Sequence, residues 1–206
     1  MKRLWLFAGA FAASVALAGP AHAQSVIDEW AGVKAPPPPP LKPVTIDPKT
    51  TALLMLDLMN QNCGRRPRCV ASLPAVKKLL AAARASKAPV VYSLIANTTA
   101  ADVMADVAPA TGEPSVLSGP NKFLRTELDR ILKDRGVQTV IVVGTAAHGA
   151  VLNTASHAAF TGYGVIVPVD GMSADPYAEQ YVAWHLVNAP GVSARTTLTR
   201  SDMIRF

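Results

Sequence analysis

From Thr51 onward, apolar runs alternate with segments whose apolar residues recur at helical spacing. TALLMLDL (51–58) is almost continuously apolar, as in a strand buried on both faces. LPAVKKLLAAARASK (73–87) has helix-forming composition, with Pro74 suited to a first turn. PVVYSLI (89–95) is β-rich and reads as the next strand. Residues 97–121 are broken by Pro109, Pro114, Gly119 and Pro120 and read mostly as loop. KFLRTELDRILKDRG (122–136) puts Phe123, Leu124, Leu128, Ile131 and Leu132 on one helical face and stops at Gly136. A strand at 138–144, a helix at 149–161 closed by Gly162, a strand at 164–170, a helix at 175–187 and a short strand at 194–199 complete the series. This rhythm predicts an α/β fold: an open, mostly parallel sheet covered by helices on both faces, a three-layer α/β/α sandwich.

The stretch before residue 44 follows other rules. Lys2 and Arg3, the apolar run Leu4–Ala18 and AHA at 21–23 predict a secretory signal peptide over 1–23. The run is shorter than the roughly 20 apolar residues of a membrane span. No later stretch of that length escapes charge, Gly or Pro, so no span is expected after cleavage. Residues 24–43 contain APPPPPLKP, which favours an extended polyproline II linker. The folded domain is expected over 44–206, long enough for one full core. Its expected compartment is periplasmic or secreted.

Export changes how the two cysteines read. Cys63 and Cys69 flank GRRPR, and in an oxidising compartment they are expected to form a disulfide. The formal net charge of +6 includes the two cations of the signal peptide, leaving a mildly basic chain. RRPR at 65–68 is its densest cationic cluster, too small for a nucleic-acid footprint. A small molecule, with an anion as one option, is the expected ligand.

In parallel sheets, ligands bind beyond the carboxyl ends of the strands. That rule singles out Asp57, Asn60 and Gln61 after the first strand, Thr145 to His148 after the strand at 138–144, and Asp170 after the next. Asp57 is either a proton donor, its pKa raised by partial desolvation, or a cap of the following turn. The turn GTAAHGA (144–150) opens a helix, where free N–H groups and the helix dipole favour negative charge. It is either an oxyanion cradle or an ordinary close-packed turn. His148 is either a neutral hydrogen-bonding ligand contact or an exposed loop histidine. His157 is out of phase with it for chelation, and His185 reads as a residue of an amphipathic helix. No metal-ligand spacing, GxGxxG or P-loop is present, so no metal and no cofactor are expected.

TALLMLDLMNQN, the F-x-x-T-x-L pattern at 123–128, G-x-A with V-x-x-T-A at 151–155, and GYGVIVPVD together resemble the isochorismatase-like (cysteine hydrolase) superfamily over about residues 50–175. The resemblance implies a six-stranded parallel sheet. It also implies a site of aspartate, lysine and cysteine that hydrolyses amides through an acyl-enzyme, in proteins that often form oligomers. Asp57 matches the aspartate. Ala146 and Ala150 match the oxyanion donors, with a cis peptide implied at Thr145–Ala146. The cysteine position holds Ala150, so the thiolate that covalent amide hydrolysis requires is missing. The family lysine lies several residues before the phenylalanine, whereas Lys122 directly precedes Phe123; it is either a pocket residue or a surface lysine.

Two functions fit. One is an exported hydrolase of a small molecule that uses Asp57 as acid/base without a thiol, as true isochorismatases cleave a vinyl ether, with Lys122 or Arg65 holding a substrate carboxylate. The other is a non-catalytic small-molecule-binding or interaction protein on the same fold. Asn60, Gln61, Thr145 and His148 are the candidate substrate contacts in either case.

Overall fold

A computed structural model describes residues 23–206. The predicted signal peptide at 1–23 therefore lies, apart from Ala23, outside the described residues. The chain divides at Pro37 into two units. In the described part of the first, a turn runs from Ser25 to Val33, with the Asp28 carboxylate accepting the Ser25 N–H at 2.9 Å. The second unit, Pro38–Phe206, holds all the helices and strands of the folded domain. It begins within the proline run: the Lys42 N–H donates to the Leu198 carbonyl, and Leu41 packs against the core.

The domain opens with β1 (Val44–Thr45) and continues with β2 (Thr51–Leu56), α1 (Pro67–Ala85), β3 (Val90–Leu94), β4 (Ser115–Leu117), α2 (Leu128–Lys133) and β5 (Thr139–Thr145). A π-helical turn (Ala147–Val151) leads into α3 (Leu152–Phe160), followed by β6 (Gly164–Pro168), β7 (Met172–Ser173), α4 (Pro176–Asn188), β8 (Thr196–Thr199) and β9 (Ile204–Arg205). The sheet order is β4-β3-β2-β5-β6-β8, every pairing parallel, with β7 added against the end of β5. The sheet thus has seven strands, one more than expected, because β5 runs past Gly144 and picks up a short extra partner.

Strand alternation builds the three layers. Ala52, Leu54 and Leu56 of β2 face a core shared with α2, α3 and α4, whereas Leu53 and Met55 face a second core under α1. Both faces of the central strands are buried, which is why TALLML is apolar throughout.

Three elements differ from expectation. Helix α1 starts at Pro67, six residues early, because extended Arg66 (φ −120°) caps it and Pro67 supplies the preset φ of a first helical residue. Pro74 consequently lies inside the helix. The segment read mostly as loop contributes β4, a three-residue edge strand with only Val116 buried. The helix expected from 122 is cut to Leu128–Lys133, since Arg125 takes a left-handed conformation (φ 58°) and Thr126 Oγ1 accepts the Leu128 N–H. The preceding turn carries Lys122 and Phe123 into the interior.

Candidate active site

The end of β2 determines where Asp57 points. The backbone at Asp57 turns into the left-handed region (φ 55°), a conformation aspartate tolerates better than most residues. β5 passes so close at this level that a Cβ on Gly144 (φ 133°) would stand 2.0 Å from the Leu56 carbonyl oxygen. Only glycine permits that approach. The result brings the ends of β2 and β5 side by side, Asp57 next to Thr145.

Asp57 is 6% exposed, and its carboxyl has two buried partners. Lys122 Nζ, itself 1% exposed, donates to Oδ2 at 2.8 Å, and Ser93 Oγ donates to Oδ1 at 2.7 Å. Ser93 Oγ also accepts the Asp57 N–H at 3.2 Å, so β3 fixes both the backbone and the side chain. Lys122 Nζ spends a further hydrogen bond on the Gly119 carbonyl at 2.8 Å. Burial pushes the Asp57 carboxyl above the ordinary carboxylate range, against the opposing pull of the Lys122 ammonium, the Ser93 hydroxyl and, farther off, Arg66.

Asp57 forms part of the wall of a cavity of about 480 Å³. Thr145, Ala146, Gly149 and Ala150 line the same cavity, so the carboxyl and the elbow share one hollow. The Thr145–Ala146 peptide is cis. Ile95, Leu117 and Pro120 supply apolar walls, while Asn62, Arg66 and Ser118 are further polar contributors. Ser118, Gly119 and Pro120 line the cavity, and Lys122 does not; its contact is with Asp57.

Several sequence candidates lie elsewhere. Asn60 and Gln61 turn to Asp102: the Asn60 amide donates to its carbonyl at 3.1 Å and the Gln61 amide to its carboxylate at 2.5 Å. Asn62 is the residue of that group that lines the cavity, donating to the Asp57 carbonyl at 3.2 Å. Arg66, rather than Arg65, reaches the cavity, with Nη1 donating to Thr145 Oγ1 at 3.3 Å. His148 is exposed and lines an adjacent pocket. Asp170 accepts the Ser201 N–H and hydroxyl, tying the end of β6 to the last turn of the chain. His157 stacks on Phe123 at 4.8 Å, and His185 meets Tyr181. Among the described residues no group of three His, Cys, Asp or Glu side chains is placed to hold a metal ion. No described helix is long and apolar enough to cross a membrane.

Cys63 and Cys69 are joined in a disulfide, both fully buried. These are the chain's two cysteines, so no free thiol remains. The bridge closes the short loop that carries Arg66 and ties it to the first turn of α1. On the loop-entropy account, a ring this small stabilises the fold by about 2 kcal/mol. Replacing both cysteines by serine is therefore expected to lower the unfolding free energy by at least that amount, read as a lower urea midpoint. An unchanged midpoint would show that the loop needs no staple.

Residues 51–198 match the family described as isochorismatase domain. Over 144 residues the chain is 28% identical to the secreted isochorismatase effector Isc1 of Verticillium dahliae, a match covering 63% of this chain and 76% of that protein. Among solved structures it is similar to N-carbamoylsarcosine amidase from Thermoplasma acidophilum, with TM-score 0.64 and 24% identity over 74% of this chain and 97% of that one. It is also similar to the nicotinamidase/pyrazinamidase PncA from Bacillus subtilis, with TM-score 0.66 and 14% identity over 73% of this chain and all of the other, 100%. At these identities the two structures speak for a shared fold. The sequence match spans β2 through β8, the whole sheet that carries Asp57 and the elbow, and the chain belongs to the isochorismatase family.

Proposed function

We propose that this protein is an exported hydrolase of a small molecule in which Asp57 is the proton donor and no cysteine takes part. The observation that carries this reading is Asp57, on the wall of a cavity that contains no thiol and paired from behind with buried Lys122 at 2.8 Å. Covalent amide hydrolysis needs an activated nucleophile. The elbow offers Ala146, Gly149 and Ala150, which have none. A carboxyl held above its ordinary range instead supplies a proton near the pH at which it works.

Vinyl-ether cleavage uses that proton directly. The Asp57 proton passes to the terminal carbon of the C=C bond, leaving an oxocarbenium ion and the Asp57 carboxylate. Water then adds to the cation, and the carboxylate takes up the proton that water releases. The resulting hemiketal collapses to a ketone and an alcohol. Lys122 acts through Asp57 as a positioning residue, and its charge balances the carboxylate in the intermediate state. Arg66, which shares the cavity, holds a substrate carboxylate, and Ile95, Leu117 and Pro120 receive the hydrocarbon body. The signal-peptide pattern, the Cys63–Cys69 disulfide and the name of the secreted Verticillium relative support export.

The elbow provides a separate test. Ala150→Cys puts a thiol among the residues lining the cavity, in a protein with no other free cysteine. Under non-reducing conditions the variant is expected to take up one equivalent of iodoacetamide and to acquire slow amidase activity. A thiol that stays unlabelled in the folded protein means that position 150 is not reached from the cavity.

A further inference from the structure

A second pocket, of about 420 Å³, adjoins the reaction cavity and shares Arg66 and Ala146 with it. Three helix beginnings meet there. Arg66 to Cys69 form the cap and first turn of α1, Ala146 and His148 open the π-helical turn before α3, and Ala174 and Asp175 precede α4. The first turns of α1 and of the π-helical segment contain no acidic residue. Helix beginnings present free N–H groups and partial positive charge. At α4 the Glu179 carboxylate of the first turn accepts the Ala174 N–H and offsets this, so the α1 and π-helical beginnings supply the local positive field.

The side chains reinforce it. Arg65, Arg66 and Arg68 line the pocket against a single lining carboxylate, Asp175. Arg68 is taken up by a two-pronged pair with Glu179. Arg65 has no hydrogen-bond or ion-pair partner among the described residues. Ser173 is also on the wall; it is 1% exposed, and its hydroxyl is the one buried side-chain polar atom without a partner among the described residues. A buried hydroxyl left unpaired is costly, and a ligand oxygen arriving in the pocket would satisfy it.

We infer that this pocket is an oxyanion subsite, taking a carboxylate or phosphate group borne by the molecule that occupies the Asp57 cavity, with Arg65 and Ser173 as its contacts. The assignment to the substrate rests on the hydrolase reading; the binding of an anion does not.

Inorganic phosphate is the probe, titrated into full-length mature protein at constant ionic strength and followed by amide NMR shifts. Saturable shifts are expected at Ser173, Ala174 and His148. Arg65→Ala, a change at an exposed residue, is expected to weaken phosphate at least tenfold, and Ser173→Ala is expected to weaken it as well. Asp57→Asn is expected to bind phosphate like the wild type, so loss of turnover and loss of anion binding are read separately. Absence of saturable shifts, or equal phosphate affinity in Arg65→Ala, overturns the subsite. The second arm compares vinyl ethers with and without an acidic substituent. Arg65→Ala is expected to raise KM about tenfold for the acidic members alone. Phosphate binding without that KM split overturns the assignment to the substrate and leaves a pocket for a separate anion.

Discussion

Replacing Lys122 by methionine is expected to cost the fold about 3–5 kcal/mol at neutral pH, the usual penalty for removing one partner of a buried ion pair. The pair spans β2 and the turn before α2, with Lys122 1% exposed. Methionine fills the space of the lysine stem but leaves Asp57 Oδ2 and the Gly119 carbonyl without their donor. The pH dependence has a definite sign. Folding raises the Asp57 pKa above its unfolded value near 3.8, so this group favours the folded state fully below that value. Its contribution is lost as pH rises through the folded pKa. Without the ammonium the folded pKa moves higher still, so the gap between variant and wild type widens on the alkaline side and closes toward acid. Urea unfolding at pH 5 and pH 8 checks this. A penalty that is equal at both pH values means that Asp57 is not the group left behind.

The second large effect is on turnover. Asp57→Asn is expected to lower the hydrolysis rate by about 10²–10⁴-fold, the range general acid catalysis supplies. Asparagine tolerates the left-handed backbone at this position and keeps one acceptor for Ser93 or Lys122. It removes the counter-charge of buried Lys122, so a loss of stability comparable to that of Lys122→Met accompanies the substitution, and the rate is read on protein shown to be folded. Asparagine has no proton to give. The residual rate should also lose its dependence on pH through the range where Asp57 titrates. A variant that turns over at the wild-type rate places the proton donor elsewhere; for a lowered rate, retained circular dichroism separates loss of the proton donor from unfolding.

Much of the architecture is legible in hydrophobic patterning because buried parallel strands leave continuous apolar runs. TALLML and TVIVVGT carry that signature, and both are central strands. Asp57 is legible for the same reason, as the first charge after such a run at the carboxyl end of the sheet. The elbow is legible from its small residues between a strand and a helix. What the sequence does not reveal depends on long-range contacts. Asn60 and Gln61 read as site residues beside Asp57, but both are drawn to Asp102, some forty positions on. With helix α1 expected only from 73, Arg65 and Arg66 are equivalent members of a loop. The start at Pro67 and the disulfide aim Arg66 at the cavity. Ser93 has a readable trace, a small polar residue interrupting PVVYSLI. Its meaning emerges only when β3 pairs beside β2. Lys122 is hidden by helical periodicity, which carries the pattern straight through the left-handed break at Arg125.

A matched set of small vinyl ethers, esters and amides, offered to the purified mature protein across pH, is the most direct test of cysteine-free proton donation from Asp57. The predicted result is release of ketone and alcohol from vinyl ethers alone, at a rate that falls as pH rises past the elevated pKa of the acid. Ligand binding with no hydrolysis of any member at any pH would contradict the account and make the cavity a receptor site.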